Sequence, residues 1–385
     1  MTRVRMGMVG GGEGGFIGRI HRLAAALDGE VELVCGAFSA DPERSRRSGA
    51  AWGLDPARVY PDWQVLLAAE AARPAAERAE FIAVVTPNHL HLPVAAAALE
   101  AGFAVFCEKP ATRDLAEARA LAEVVAASGR PFALAHTYAG YPLVHEARAR
   151  IAAGELGRVR RVVVEYQQGW LAADPGGEPW RLDPARSGPS GCLADIGVHA
   201  FHLAEFVTGL EVAELAADLA AVVPGRRVED DAAVLLRFAG GARGVLLASQ
   251  VSPGEENGLR IRVYGERAGL EWFQEAPNTL WLKGNDRPAA RLTAGGPWLG
   301  KVARALTRTP PGHPEGYIEA FANLYRAFAA AVRAGGRHAP PEAAWLPGIR
   351  EAVRGMAFVD AALASSRAGG AWRALPADLA EEKTP

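Results

Sequence analysis

Short apolar runs alternate with stretches of helical spacing through the first third of the chain. Residues 4–9, 31–38, 81–85 and 103–107 read as buried strands, each a brief apolar run closed by turn-forming residues. Between them lie Ala/Leu/Glu-rich segments such as 94–101 and 115–127, whose apolar positions recur with a helical period. That rhythm predicts a parallel sheet covered on both faces. After Pro131 the pattern changes. A helix over 144–153 ends at Gly154, and strands follow at 159–166, 212–222, 232–238, 244–251, 259–264 and 270–273. The turns Ala239-Gly240-Gly241 and Gly265-Glu266 suit antiparallel pairing. One helix, 193–206, interrupts the strands and stops at Gly209. Residues 283–314, rich in Gly, Pro and Arg, read as a long surface loop. Helices over 315–334 and 342–364 follow, and the tail 381–385 is expected to fray.

The expected fold class is α/β, with a doubly wound parallel sheet over 1–136. An α+β domain follows over 137–385, built on a large open, mostly antiparallel sheet, and the C-terminal helices are free to pack back on the first domain. An open sheet needs cover. Its uncovered face is the candidate surface for a homodimer or homotetramer.

The run at 4–9 empties into Gly10-Gly11-Gly12-Glu13-Gly14-Gly15-Phe16-Ile17-Gly18. A strand, a glycine turn and a helix start together suit a dinucleotide pyrophosphate. The glycines let backbone approach the phosphates, and the helix N-terminus offers unpaired N–H groups. Gly10, Gly12 and Gly15 satisfy G-x-G-x-x-G, with Phe16 and Ile17 opening the helix; Gly18 offers a second register. The cofactor implied is NAD or NADP.

Composition removes other classes. The 385 residues suffice for two domains, and a net charge of −2 gives no reason to expect nucleic acid or an anionic membrane as partner. No run of about eighteen apolar residues is present to span a bilayer. The first strand begins so close to Met1 that no signal peptide is expected. Cys35, Cys107 and Cys192 lack C-x-x-C spacing, which suits a reducing cytoplasm.

Four polar clusters are candidates for chemistry. At the end of the second strand Ser39 with Arg44 or Arg46 suits a 2′-phosphate, whereas Asp41 suits the ribose of NAD; equally, Ser39 and Asp41 serve to start the next helix. Thr86-Pro87-Asn88-His89-Leu90-His91 follows a strand at its carboxyl end, where open α/β sheets bind ligands. Polar contact or capping suits its histidines better than metal, and no metal is expected. Cys107-Glu108-Lys109-Pro110 closes the next strand, and Lys109 there is a donor to a substrate oxygen or a proton-transfer group. Asp195, His199 and His202 fall at i, i+4 and i+7, on one face of an α-helix. They read as an acid–base pair, a set of metal ligands or a satisfied polar network.

Together these pieces resemble the Gfo/Idh/MocA family, named for glucose–fructose oxidoreductase, inositol dehydrogenase and a rhizopine-catabolism protein. The resemblance rests on the glycine turn with His21, Thr86-Pro87-Asn88-His89, Glu108-Lys109-Pro110, Trp180-Arg181 and Asp195-x-Gly197-x-His199. It implies a Rossmann domain, an open-sheet domain and an oligomer. It also implies a catalytic Lys109 with Asp195 and His199, and a cis Lys109–Pro110 bond. Thr86, Pro87, Asn88, His91, Glu108 and Lys109 are expected on the cofactor. Tyr166, Gln168, Trp170, Trp180, Arg181 and His202 are expected on the substrate. Two departures stand out: aligning on His21 makes the glycine loop about three residues longer than usual, and His202 stands where the family often has Asp.

The expected activity is hydride transfer between nicotinamide and a cyclitol, sugar or sugar derivative. A glycosidase using NAD for transient oxidation, a non-catalytic sensor and a metal-dependent hydrolase are the alternatives.

Overall fold

The computed structural model describes residues 2–173, 176, 179–335 and 340–376; the tail expected to fray lies outside them. The chain divides into two units, Met1–Thr137 with Tyr317–Ala352, and Tyr138–Gly316 with Val353–Pro385.

The first unit carries β1 (Val4–Gly10), β2 (Val31–Ala37), β3 (Phe81–Val85), β4 (Ala104–Cys107) and β5 (Phe132–Leu134). They form one parallel sheet in the order β2-β1-β3-β4-β5. The helices between them are α1 (Phe16–Leu27), α2 (Pro42–Ala51), α3 (Trp63–Ala71), α4 (His91–Glu100) and α5 (Leu115–Ser128). Asp41, Asp62 and Asp114 cap α2, α3 and α5, each accepting backbone N–H groups of the first turn. Every residue of β3 is buried, because both faces of the central sheet are covered. Val94, Ala98 and Leu121 of α4 and α5 pack on one face, with Ile82 and Val84.

On the other face Met6, Met8, Phe81 and Phe106 meet Phe321, Leu324, Tyr325 and Phe328. The latter four belong to α10 (Tyr317–Ala334), far along the chain. Tyr325 stacks on Phe106 at a centroid distance of 4.5 Å. Burying each such ring contributes about 1.5–3 kcal/mol.

The second unit opens with α6 (Pro142–Ala152) and β6 (Val159–Gln167), then α7 (Pro184–Ser187), α8 (Val198–Thr208), β7 (Val212–Ala220), β8 (Asp231–Phe238) and β9 (Arg243–Ser249). It continues with β10 (Gly258–Gly265), β11 (Ala268–Phe273), β12 (Thr279–Gly284), β13 (Ala290–Thr293) and α9 (Lys301–Ala305). After α10, α11 (Ile349–Arg367) and β14 (Arg373–Ala374) end the described chain. The nine strands order as β13-β12-β11-β10-β6-β9-β8-β7-β14. Neighbours are antiparallel except β6 with β9, which makes the sheet mixed but mostly antiparallel. Alternation along β8 and most of β9 leaves one face buried and the other open.

Three expected elements change. The loop expected over 283–314 contains β13 and α9, hidden because an edge strand of 4 residues and a helix of 5 are too short to show a period. The helix expected from 342 starts at Ile349, after Pro347-Gly348, with Glu351 accepting the Gly348 N–H at 2.8 Å. The helix over 193–206 is not uniform: Leu193–Gly197 is a turn of π-helix, and α8 follows it.

Candidate active site

In the first unit the glycine loop has strained backbone. Gly10, Gly11 and Gly14 have φ of +85°, +71° and +77°, which side chains rarely tolerate. A Cβ on Gly10 would lie 2.4 Å from the Val85 carbonyl oxygen, and one on Gly12 2.7 Å from that of Phe38. The loop therefore presses on the carboxyl ends of β3 and β2. Gly15 is the N-cap of α1 and provides no side-chain partner for the helix amides. Of the two registers, the one ending in Gly18 brings helix against loop, since a Cβ there would sit 1.9 Å from the Gly11 carbonyl oxygen. Phe16 is 72% exposed at the helix start, and Ile17 packs against the core. The bare glycines, the uncapped helix start and the buried Thr86 Oγ1, which lacks a hydrogen-bond partner, fit a bound dinucleotide.

Residues after β2 serve local structure. Asp41 caps α2, accepting from Glu43 N at 2.9 Å, and Ser39 Oγ accepts from Asp41 N at 3.1 Å. Arg44 Nε donates to the Glu13 carbonyl oxygen at 3.0 Å, which ties α2 to the glycine loop. Arg46 pairs with Glu43.

After β3, Thr86 and Pro87 lead into a single 3-10 turn, Asn88–Leu90, in which Asn88 is buried. His91 departs from expectation. It is fully buried, and its ring nitrogens lie 2.8 Å from the carbonyl oxygens of Pro110 and Thr86. It pins two loops together and is out of a ligand's reach. Burial lowers its pKa, although both carbonyls favour the charged ring.

Glu108 is likewise internal. Its Oε1 lies 2.9 Å from His21 Nε2, and its Oε2 accepts the Lys109 N–H at 3.2 Å. The Tyr325 hydroxyl lies 2.5 Å from His21 Nδ1. The Nε2–H tautomer of His21 satisfies all three groups. Burial pushes the Glu108 carboxyl up, but the His21 hydrogen bond and the nearby Lys109 charge outweigh it, and the pKa is lowered. Half-buried Lys109 thus extends from a backbone held by a buried network, and its bond to Pro110 is cis.

In the second unit, sheet register assembles the polar cluster. Gln167 pairs with Ser249 across β6–β9 and with Gly258 across β6–β10. Gln168, Gln250 and Asn257, one residue beyond each, therefore gather at one end of three adjacent strands. Gln250 Nε2 donates to Asp195 Oδ2 at 2.9 Å, and Arg181 Nε lies 3.5 Å from Asp195 Oδ1. The Arg181 guanidinium lies 4.5 Å from the centroid of Trp180. Trp170, 43% exposed, donates Nε1–H to Gln168 Oε1 at 3.1 Å.

His199 is buried with its ring 4.8 Å from Tyr138 and 6.3 Å from Tyr166, centroid to centroid. Burial, and then the neighbouring Tyr166, push the Tyr138 hydroxyl well above its ordinary pKa. His202 is also buried and stacks on Phe206 at 5.5 Å. The shared α-helical face expected for Asp195, His199 and His202 needs correction, because Asp195 lies in the π turn, whose hydrogen bonds run i to i+5. That turn is anchored by buried Glu229, whose Oε1 accepts from Ser190 Oγ at 2.6 Å, Gly191 N at 2.9 Å and Leu193 N at 3.2 Å.

Among the described residues no group of three or more His, Cys, Asp and Glu is arranged to hold a metal ion. No helix of the described residues is long and apolar enough to cross a membrane. Sequence reasoning missed Tyr138, Gln250, Asn257, Glu229 and Tyr325. For Gln250 and Asn257 the available signal was position: each is a polar residue just outside an alternating strand.

Residues 4–136 match the profile described as "Oxidoreductase family, NAD-binding Rossmann fold", and 144–271 match the GFO/IDH/MocA C-terminal domain. The uncharacterized oxidoreductase YfiI of Bacillus subtilis (strain 168) is 33% identical over 379 residues, 96% of each chain. An inositol dehydrogenase homologue from Azotobacter vinelandii, solved with NAD+, is 39% identical, with a TM-score of 0.92 over 97% of each chain. The same homologue solved with NADH and myo-inositol gives a TM-score of 0.90, over 97% of this chain and 98% of that one. Levoglucosan dehydrogenase of Pseudarthrobacter phenanthrenivorans is 27% identical, over 73% of this chain and 76% of its own.

Proposed function

The chain belongs to the Gfo/Idh/MocA family of NAD-binding oxidoreductases, and on that footing we propose that it oxidises a polyhydroxylated ring, a cyclitol or a sugar, at one carbinol carbon. The observation that carries this reading is the strand-end cluster around Asp195, where neutral amides, an indole N–H and a charge-balanced carboxylate suit ring hydroxyls. The Azotobacter vinelandii homologue solved with myo-inositol supports it.

NAD, when bound, supplies the hydride acceptor. Gly10, Gly12 and Gly15 are assigned to its pyrophosphate at the start of α1, with Thr86, Pro87 and Asn88 along its length. A ring nitrogen of His199 takes the hydroxyl proton as the carbonyl forms. Lys109 Nζ donates a hydrogen bond to the substrate oxygen. Asp195 accepts from a substrate hydroxyl, with Trp170, Trp180 and Arg181 offering flat surfaces and donors beside it. Glu108 and His91 are assigned support of these loops.

We also propose a cytoplasmic enzyme that assembles as a homodimer or homotetramer. Support for assembly comes from the open sheet face, where Leu235, Val245, Val163, Arg262, Glu271 and Trp281 lie in one cross-strand row. The test of function is a panel of cyclitols and aldoses with NAD+, read by nicotinamide absorbance. Reduction with at least one cyclitol or sugar is expected; no reduction across the panel, with NADH still bound, contradicts the reading.

A further inference from the structure

Asn257 stands immediately before β10, and its amide is engaged at four hydrogen-bonding positions. Oδ1 accepts from the Tyr166 hydroxyl at 2.6 Å and from Gln168 Nε2 at 2.9 Å. Nδ2 donates to the Tyr138 hydroxyl and to Gln274 Oε1, both at 3.2 Å. An amide has two donors and one two-lone-pair acceptor, so this set holds its orientation fixed.

The direction of the bonds it shares with Tyr138, Tyr166 and Gln168 follows. Asn257 Oδ1 can only accept, so the Tyr166 proton goes to it; the Tyr166 oxygen then accepts the Tyr138 proton, and the Tyr138 oxygen accepts from Asn257 Nδ2. Three hydrogen bonds close a ring that runs one way round. On the other side Gln168 gives Nε2–H to Asn257, which leaves Oε1 to accept from Gln250 Nε2 at 3.4 Å. Gln250 Nε2 also donates to Asp195 Oδ2, a carboxylate that when ionised only accepts. One arm from Asn257 therefore ends at Asp195. The other ends in the two tyrosine rings that wall His199.

We propose that Asn257 is the positioning residue of the substrate-binding half of the enzyme, fixing the Asp195 carboxylate and the walls of His199 from one amide. The proposal rests on the roles given to Asp195 and His199 under Proposed function. Asn257 touches neither, and acts through Gln168, Gln250 and the tyrosine pair. Aspartate in its place keeps the shape but loses both donors when ionised, and leucine loses the whole set.

The test compares Asn257→Leu and Asn257→Asp with the wild type by crystal structure, NADH titration and steady-state kinetics on whichever ring polyol the wild type oxidises. In both variants kcat/KM for the polyol is expected to fall by about thirtyfold or more, while NADH affinity stays within about twofold. The activity of Asn257→Asp relative to wild type should climb as pH falls through the carboxyl range, because the protonated group regains one O–H donor. Asn257→Leu should show no such climb, and its crystal structure should show Gln250 turned away from Asp195 and the tyrosine pair parted. A leucine variant with wild-type kcat/KM, or with Gln250, Asp195 and both tyrosines unmoved, overturns the proposal. If Asn257→Leu does not fold, the isosteric Asn257→Asp decides by the same measures. If the wild type oxidises no polyol, the functional reading fails, and the variants' crystal structures still decide the role of Asn257.

Discussion

His21 Nε2 and Glu108 Oε1 lie 2.9 Å apart in a part of the first unit where the imidazole has no exposed surface. Removing the imidazole strands a buried carboxylate, whereas replacing the carboxylate by an amide leaves no charge to strand. His21→Leu should therefore cost about 3–5 kcal/mol of stability, and Glu108→Gln distinctly less, about 1–2 kcal/mol. Denaturant titration of both variants checks this. Equal losses would mean that the pair carries no special cost.

The same pair sets a pH dependence. The Glu108 carboxyl is lowered in the folded state, so its contribution is fully present above the unfolded value of about 4.3 and is lost as pH falls through the folded value. Unfolding free energy measured against pH should fall on acidification below about pH 4, and more steeply in the wild type than in Glu108→Gln. Identical acid limbs would remove Glu108 from the account.

At Gly18 the smallest substitution should matter. A Cβ there meets the Gly11 carbonyl oxygen at 1.9 Å, and backbone cannot yield as a flexible side chain would. Gly18→Ala should cost about 1–3 kcal/mol and weaken NADH binding by about tenfold or more as the loop is pushed off its seat. Gly15→Ala, at 3.0 Å from the Gly12 carbonyl oxygen, should be milder. Fluorescence titration with NADH ranks the two, and the reverse order would contradict the Gly18 register.

The arginines after β2 bear on cofactor choice. Arg44 is spent on the Glu13 carbonyl and Arg46 on Glu43, so neither waits for a 2′-phosphate. NAD+ should be preferred over NADP+ by about tenfold or more in kcat/KM, a 1.4 kcal/mol difference. Arg44→Ala should loosen NADH binding by releasing the glycine loop. Equal use of both cofactors would show that Arg44 or Ser39 moves to meet the phosphate.

Much of this architecture could be read from the chain, and the reasons are local. Buried parallel strands are continuous apolar runs, so β1, β3 and β4 announce themselves, as does the Gly10–Gly18 turn between a strand and a helix. What stayed hidden depends on distant partners. Tyr325 meets His21 across 304 residues, and Asn257 meets Tyr138 across 119. Neither pairing has a sequence period. The π turn under Asp195 escapes a uniform 3.6-residue spacing, because the Glu229 carboxylate anchors the start of a wider turn. His91 looked like a ligand because polar residues at strand ends often are; here two carbonyls claim it.

The open face of the nine-stranded sheet should join copies of the chain. Leu235 and Trp281 are 51% and 39% exposed in the same cross-strand row, alongside charged neighbours. Light scattering should give a dimer or tetramer for the wild type, and smaller species for the Leu235→Glu, Trp281→Glu double variant. A monomeric wild type would leave the face without this role.

Hydride transfer itself is the central claim, and isotope transfer tests it most directly. A ring polyol from the panel, deuterated at the oxidised carbon, is turned over with NAD+, and the NADH formed is analysed by mass spectrometry. One deuterium on the nicotinamide C4 is the predicted result, and Lys109→Met should abolish it while still binding NADH. Deuterium released to water, with none in the NADH, would contradict the account.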